Sequence, residues 1–188
     1  MRSFIAVEVK DKDLIQRFVE LQSVLSSSGS DLKFVETQNL HFTLKFLGEI
    51  SNSDEKIISE KLDELEFDSI QIRYNGLGVF PNQSRVSVVW VGLDQESGER
   101  LKKLAVAVRE KLGGLKLGDE RPFQPHLTIA RVKSGLNRTR LVEIVNSMKD
   151  QNLGFDELKI VKLKKSTLTP NGPIYEDIHT VTLRGSLP

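Results

Sequence analysis

The chain has no cysteine among its 188 residues. That removes disulfide cross-links, thiolate nucleophiles and cysteine-based zinc sites from consideration. An excess of charge of either sign is also missing, since 27 Lys and Arg stand against 26 Asp and Glu for a formal net charge of +1. The global basic field of a dedicated nucleic-acid binder is therefore absent, and a bound anion would have to be small, or held at one end by a local cluster. No stretch approaches the roughly 20 apolar residues of a membrane span. The opening run Phe4-Ile5-Ala6-Val7 is too short for a secretory signal and is cut by Glu8. These absences make the cytoplasm the expected location, with no membrane partner. A chain of this length buries roughly 70% of its unfolded surface, so one domain spanning residues 1–188 needs no covalent staple.

Histidine is scarce as well, and its placement is informative. Of three histidines, two fall in His41-Phe42-Thr43-Leu44 and His126-Leu127-Thr128-Ile129. On a strand alternate side chains share a face, so each His-Thr pair points one way while Phe42, Leu44, Leu127 and Ile129 point into a core.

Hydrophobic periodicity places both strings in similar surroundings. Phe4–Val9 reads as a strand and 11–26 as an amphipathic helix with Leu14, Phe18, Leu21 and Leu25 on one face. Lys33–Glu36 is extended, Thr37–Asn39 a turn, and 40–47 a strand ended by Gly48. Ser53 is the expected cap of a helix carrying Ile57, Ile58, Leu62 and Leu65, and 70–80 is extended. Arg85–Leu93 then opens a second series: a helix over about 96–112, the strand His126–Val132, a helix carrying Leu141, Ile144, Val145 and Met148, and strands over 158–168 and 174–183 around Pro170-Asn171-Gly172-Pro173. His41 follows Phe4 by 37 positions and His126 follows Val88 by 38. Two α+β repeats are expected, forming lobes of roughly 1–84 and 85–188 whose termini are free to cross. The sheets should be rich in antiparallel pairs and flanked by helices, with a cleft on a pseudo-two-fold axis.

Two imidazoles and two hydroxyls meeting in such a cleft have a specific chemical use. Imidazole titrates near neutrality, so one ring can accept a proton while the other donates one. Threonine hydroxyls are short neutral donors for the non-bridging oxygens of a phosphate. The set suits in-line displacement at phosphorus. Two histidines fall short of the three protein ligands of a catalytic zinc, and His179 on the last strand is the candidate third ligand in a competing metal-site reading. Arg131 is the natural phosphate partner, yet strict alternation puts it on the face opposite His126 and Thr128 unless a bulge intervenes. Lys45 has the parity of His41 and Thr43. Lys162-Leu163-Lys164-Lys165 forms a basic strand rim suited to an RNA backbone. Core packing is expected for Phe4 and Trp90, with Tyr175 a candidate for base stacking.

These residues resemble the 2H phosphoesterase superfamily, which is named for paired His-x-Thr/Ser-x motifs, and within it the bacterial and archaeal RNA 2′,3′-cyclic phosphodiesterases, also called the 2′-5′ RNA ligase family. The resemblance runs through Arg2–Val7, Leu40–Gly48, Arg121–Arg131 and Gly172–Tyr175. It implies hydrolysis of RNA 2′,3′-cyclic phosphate ends to 2′-phosphomonoesters by a monomer, without metal or other cofactor. His41 would be the proton donor and His126 the proton acceptor, with Thr43, Thr128 and Arg131 binding substrate. Partners would be RNA ends, tRNA fragments among the candidates. The alternatives are an ATP-independent 2′-5′ ligase joining tRNA halves with the same groups, a non-catalytic module binding RNA ends, and a nucleotide substrate such as ADP-ribose 1″,2″-cyclic phosphate.

Overall fold

A computed structural model describes residues 1–185. The elements run β1 (Arg2–Glu8), α1 (Lys12–Ser26), β2 (Leu32–Phe34), a 3₁₀ turn at Thr37–Asn39, β3 (His41–Glu49), α2 (Asn52–Asp63), β4 (Ile70–Asn82), β5 (Arg85–Leu93), α3 (Gln95–Lys111), β6 (Leu127–Val132), α4 (Arg138–Ser147), β7 (Asn152–Leu158), β8 (Ile160–Thr169) and β9 (Gly172–Thr182). Two antiparallel sheets result, ordered β3-β1-β8-β9 and β2-β6-β5-β4-β7. This is the α+β class with two flanked sheets.

The sheets do not follow the two halves of the chain. β4, from the first half, pairs with β5, while β8, from the second half, pairs with β1. Each sheet therefore reads, from the motif strand outward, as motif strand, opening strand of the same repeat, and closing strand of the other repeat. A boundary near residue 84 describes the repeats but not the lobes, because the closing strands are exchanged. The motif strands β3 and β6 approach each other with Cα atoms within 8 Å, which joins the two sheets side by side.

The helices cover the faces turned away from the cleft. α1 is capped by Asp11, whose carboxylate accepts from the Leu14 amide, and it buries Leu14, Phe18, Leu21 and Leu25. That stripe lies against β6, β7 and α4. α3 buries Leu101, Leu104, Ala105 and Val108 against β3, β4 and β5. Each such leucine stabilises the packing by about 1.5–3 kcal/mol. Phe42, between His41 and Thr43, is fully buried and stacks on Tyr74 of β4, with centroids 6.1 Å apart. The residue behind the first motif thus ties the two sheets together.

Two local expectations are corrected. α2 is capped by Ser51 rather than Ser53, because Asp54 lies at the third helical position from Ser51 and completes a reciprocal capping box. The strand expected over 158–168 is β8, which begins at Ile160, and a further strand that the pattern did not mark, β7, precedes it and ends at Leu158.

Candidate active site

Both histidines are held in the same way. His41 Nδ1 lies 2.6 Å from the Asn39 carbonyl oxygen, and His126 Nδ1 lies 2.6 Å from that of Gln124. A carbonyl only accepts, so each Nδ1 carries the proton and each neutral ring keeps its lone pair on Nε2. His41 is the first residue of β3, and His126 immediately precedes β6.

Both motif strands then bulge at the same place. Opposite β1, Thr43 pairs with Ala6 but Lys45 with Ile5, which leaves Leu44 as the extra residue. Opposite β5, Thr128 pairs with Trp90 but Ala130 with Val89, which leaves Ile129 as the extra residue. A bulge reverses the parity of everything after it. Arg131 is thereby carried onto the face of Thr128, and its counterpart Phe46 is carried onto the face of Phe4, His41 and Thr43. Lys45 is carried the other way. It pairs with the core residue Ile5 and is buried, so it does not share the face of His41 and Thr43.

The second bulge is anchored from behind. The Ile129 carbonyl accepts from the Val35 amide at 3.0 Å and from the side-chain amide of Gln22 on α1, also at 3.0 Å. Gln22 donates to the Val35 carbonyl as well, at 2.9 Å. The first bulge instead has the α3–β6 loop laid over the strand beyond it. Gly118 there has a φ of +74°, and a Cβ on it would lie 1.7 Å from the Phe46 carbonyl oxygen. Only glycine fits that crossing.

The surroundings of the two rings differ. The His41 Nε2 is 3.0 Å from the Thr43 hydroxyl, which donates to the neutral ring and accepts from the protonated one. Phe4 and Tyr175 pack on the His41 ring with centroids at 5.2 and 5.5 Å. Beside them Glu8, Lys162, Lys164 and Asp177 form a connected ion-pair network. Lys162 lies 2.9 Å from Glu8 and 2.6 Å from Asp177, and Lys164 bonds both carboxylates. Burial alone would raise the Glu8 pKa, but Lys10, Lys164 and Lys162 outweigh it and hold the group at about 2. Two lysines of the basic rim are thus neutralised from within, and only Lys165 stays on the rim, paired with Glu176. The His126 ring meets an aromatic wall: Phe80 is edge-on at 4.9 Å, and Trp90 packs on Phe80 at 5.2 Å.

Burial lowers the pKa of both imidazoles below 6.5, against the Nδ1 hydrogen bonds that raise them. The Arg131 charge depresses both, so one guanidinium acts on both halves of the cleft. Lys33, opposite Arg131 on β2, reaches the tip of the β8–β9 hairpin and donates to the Asn171 carbonyl at 3.1 Å, closing one end of the cleft. His179 pairs across the strands with the core residue Leu163, on the face away from the cleft, and bonds Asp63 at 2.7 Å. It does not join the other two histidines. Among the described residues no three His, Asp or Glu side chains stand together as metal ligands. No helix there is long and apolar enough to cross a membrane.

Sequence reading nominated His41, Thr43, His126, Thr128 and Arg131; the structure sets the two motif strands that carry them beside each other, with the Arg131 charge acting on both imidazoles. It missed Glu8, Gln22, Phe46 and Phe80. Glu8 alone carried a signal, as a carboxylate ending an otherwise apolar strand.

A family model described as the AKAP7 2′5′ RNA ligase-like domain matches residues 2–183. A protein of Methanocaldococcus jannaschii named RNA 2′,3′-cyclic phosphodiesterase is 38% identical over 179 residues, covering 95% of this chain and 98% of the relative. One of the same name from Archaeoglobus fulgidus is 40% identical over 178 residues, with the same coverages. Among solved structures, one from Thermus thermophilus superposes with a TM-score of 0.82 at 26% identity over 100% of both chains. E. coli LigT complexed with 3′-AMP has a TM-score of 0.78 at 21% identity over 97% of each and shares the fold. With its paired motifs on two exchanged sheets, the chain belongs to the AKAP7 2′5′ RNA ligase-like family of 2H phosphoesterases.

Proposed function

We propose that this protein opens the 2′,3′-cyclic phosphate at an RNA end to the 2′-phosphomonoester, by acid–base catalysis between His41 and His126 and without a metal ion. One observation carries the reading: two imidazoles on neighbouring motif strands, each with Nδ1 committed to a backbone carbonyl, so that each offers Nε2 for proton transfer. The relatives named RNA 2′,3′-cyclic phosphodiesterase support this substrate class.

In this mechanism the cyclic phosphate lies between Thr43 and Thr128, with Arg131 on its non-bridging oxygens. His126 removes a proton from water, the water oxygen attacks phosphorus, and the P–O3′ bond breaks as His41 protonates the departing oxygen. In-line displacement puts the terminal nucleoside on the His41 side and the attacking oxygen on the His126 side. Burial lowers both pKa values below 6.5, which favours the neutral rings in the free protein and suits the base. The acid becomes protonated when the substrate anion enters beside it, because an adjacent negative charge favours imidazolium. Each proton transfer contributes on the order of 10²–10⁴-fold in rate.

The test is end-group analysis of a cyclic-phosphate oligonucleotide incubated with the protein in excess chelator. A 2′-phosphate product supports the reading. A 3′-phosphate, or turnover that stops in chelator and returns with a divalent ion, overturns it.

A further inference from the structure

The two walls of the cleft are built from different materials, and on the attacking side a neutral apolar wall suits the base but does not by itself call for an indole. On the cleft face of β4 and β5 lie Trp90, Phe80, Val88, Gly78 and Gly92. Trp90 pairs across the strands with Gly78 and packs on it: a Cβ at Gly78 would fall 2.1 Å from the indole ring, whereas one at Gly92 would first meet the Asn75 carbonyl oxygen, at 2.8 Å, and then the indole, at 3.1 Å. The missing side chain at Gly78 makes room for the indole beside Thr128. That indole is not explained by stability. The Trp90 Nε1 is buried with no hydrogen-bond partner among the described residues, a cost that phenylalanine would avoid. It is also the one tryptophan in the chain.

We propose that Trp90 is a stacking platform for a nucleoside that brings its own attacking hydroxyl, and so decides how well an RNA 5′-hydroxyl competes with water. The inference rests on the cyclic-phosphate reading above, which places the attacking oxygen on this wall. A nucleoside is the fitting occupant because an aromatic face holds any base, and a ribose beside Thr128 is then positioned at the phosphate. The step balances without ATP. The acceptor O5′ bonds to phosphorus while the P–O3′ bond breaks. The 5′-hydroxyl proton passes to His126, His41 gives a proton to O3′, and a singly charged cyclic diester becomes a singly charged 2′-5′ diester.

The lone tryptophan is its own probe. With uridine 2′-monophosphate held saturating to fill the His41 side, intrinsic fluorescence is titrated with adenosine and, separately, with ribose. Saturable quenching by adenosine and none by ribose is expected. In a parallel assay a cyclic-phosphate oligonucleotide reacts with a 5′-hydroxyl dinucleotide, and the acceptor concentration giving half-maximal 2′-5′ product is measured. Trp90→Ala should raise it about tenfold and Trp90→Phe less than threefold. Absent quenching, equal quenching by ribose, or an unchanged half-saturation in Trp90→Ala would overturn the platform. Quenching needs no turnover, so it survives if only the cyclic-phosphate reading fails, and the wild-type titration stands if the alanine variant does not fold.

Discussion

The two His-x-Thr half-sites share a backbone and differ in nearly everything placed on it. Each has a histidine anchored through Nδ1, a threonine two residues on, and a bulge at the next residue that turns the strand. From there they diverge. The first half carries Phe46 where the second carries Arg131, a threonine bonded to its imidazole, and a network of buried charges beside the ring. The second half has aromatic rings and glycines. The backbone of each repeat holds an imidazole in the same way, and in the proposed mechanism the side chains around it assign different work. A neutral apolar wall suits a base that must stay unprotonated. A wall with fixed ions suits an acid that must take up a proton when an anion arrives.

The largest test of that division removes one imidazole at a time. His41→Ala and His126→Ala should each lower opening of the cyclic phosphate by at least about 10²-fold. The half-sites separate on an activated substrate. A nitrophenyl phosphodiester has a leaving oxygen that needs no proton, so it should be turned over far better by His41→Ala than by His126→Ala. Equal losses on that substrate would reverse or abolish the assignment of acid and base.

Arg131 belongs to one strand but acts on both rings, so its removal should blur the comparison. Arg131→Ala should reduce kcat/KM by about 10–100-fold, the scale of a lost charge-assisted hydrogen bond of about 1.5–3 kcal/mol. It should also raise the apparent pKa of both imidazoles, since its charge depresses both. In the wild type both groups lie below 6.5, so kcat/KM should follow a bell peaking below that pH, while kcat, measured with the phosphate bound, should peak higher. The two limbs belong to the coupled pair rather than to either residue. A kcat/KM maximum well above pH 7 would contradict burial as the dominant influence.

Arg131 also shows where sequence reading reaches its limit. Period-two alternation placed His41, Thr43, His126 and Thr128 on the cleft face because no bulge separates each histidine from its threonine. The same rule misplaced Lys45 and set Arg131 on the wrong side, because one extra residue in each strand inverts all that follows. A bulge is a property of the pairing, and neither Leu44 nor Ile129 marks it in composition. β7 was missed for another reason. Asn152-Leu153-Gly154-Phe155-Asp156-Glu157 has few strand formers, and it holds its place as an outer strand through pairing with β4, with Phe155 exposed under the Arg73 guanidinium. The exchange of closing strands between sheets is likewise invisible in a linear pattern, because both pairings bury the same apolar faces.

A third test acts on the charged wall alone. The Glu8 and Lys164 side chains are 6% and 7% exposed. Glu8→Gln leaves Lys162 and Lys164 sharing Asp177 alone, so it should destabilise by less than the roughly 3–5 kcal/mol of a buried charge left with no partner. The pH dependence has a definite sign. Glu8 titrates at about 2 when folded against 4.5 as the ordinary value, so its contribution is complete above pH 4.5 and is lost as pH falls toward 2. Acid unfolding of Glu8→Gln should accordingly lack that component. Glu8 also raises the His41 pKa and is not among the influences on His126, so in the variant the His41 ring, followed by its own NMR titration, should shift down while the His126 ring stays. Equal shifts of both rings would show that the network is not private to the first half.

The smallest expected effects compare the supports of the two threonines. Thr43→Val removes a hydroxyl bonded to the acid's Nε2, whereas Thr128 makes no such bond to His126 among the described residues. Both variants should weaken turnover by about 1–3 kcal/mol through the phosphate, but only Thr43→Val should also shift the pH profile. On the other side, Gln22→Leu removes one of two donors to the carbonyl of the bulged Ile129. The Val35 amide still holds that oxygen, so the bulge should persist with Arg131 less firmly aimed. A rise in KM of a few-fold with kcat nearly unchanged is the expected signature, because in the proposed mechanism Arg131 holds phosphate and takes no part in the proton transfers. Were kcat to fall while KM held, Gln22 would be acting on the position of His126 itself, and the second half-site would depend on its bulge for the base as well as for the arginine.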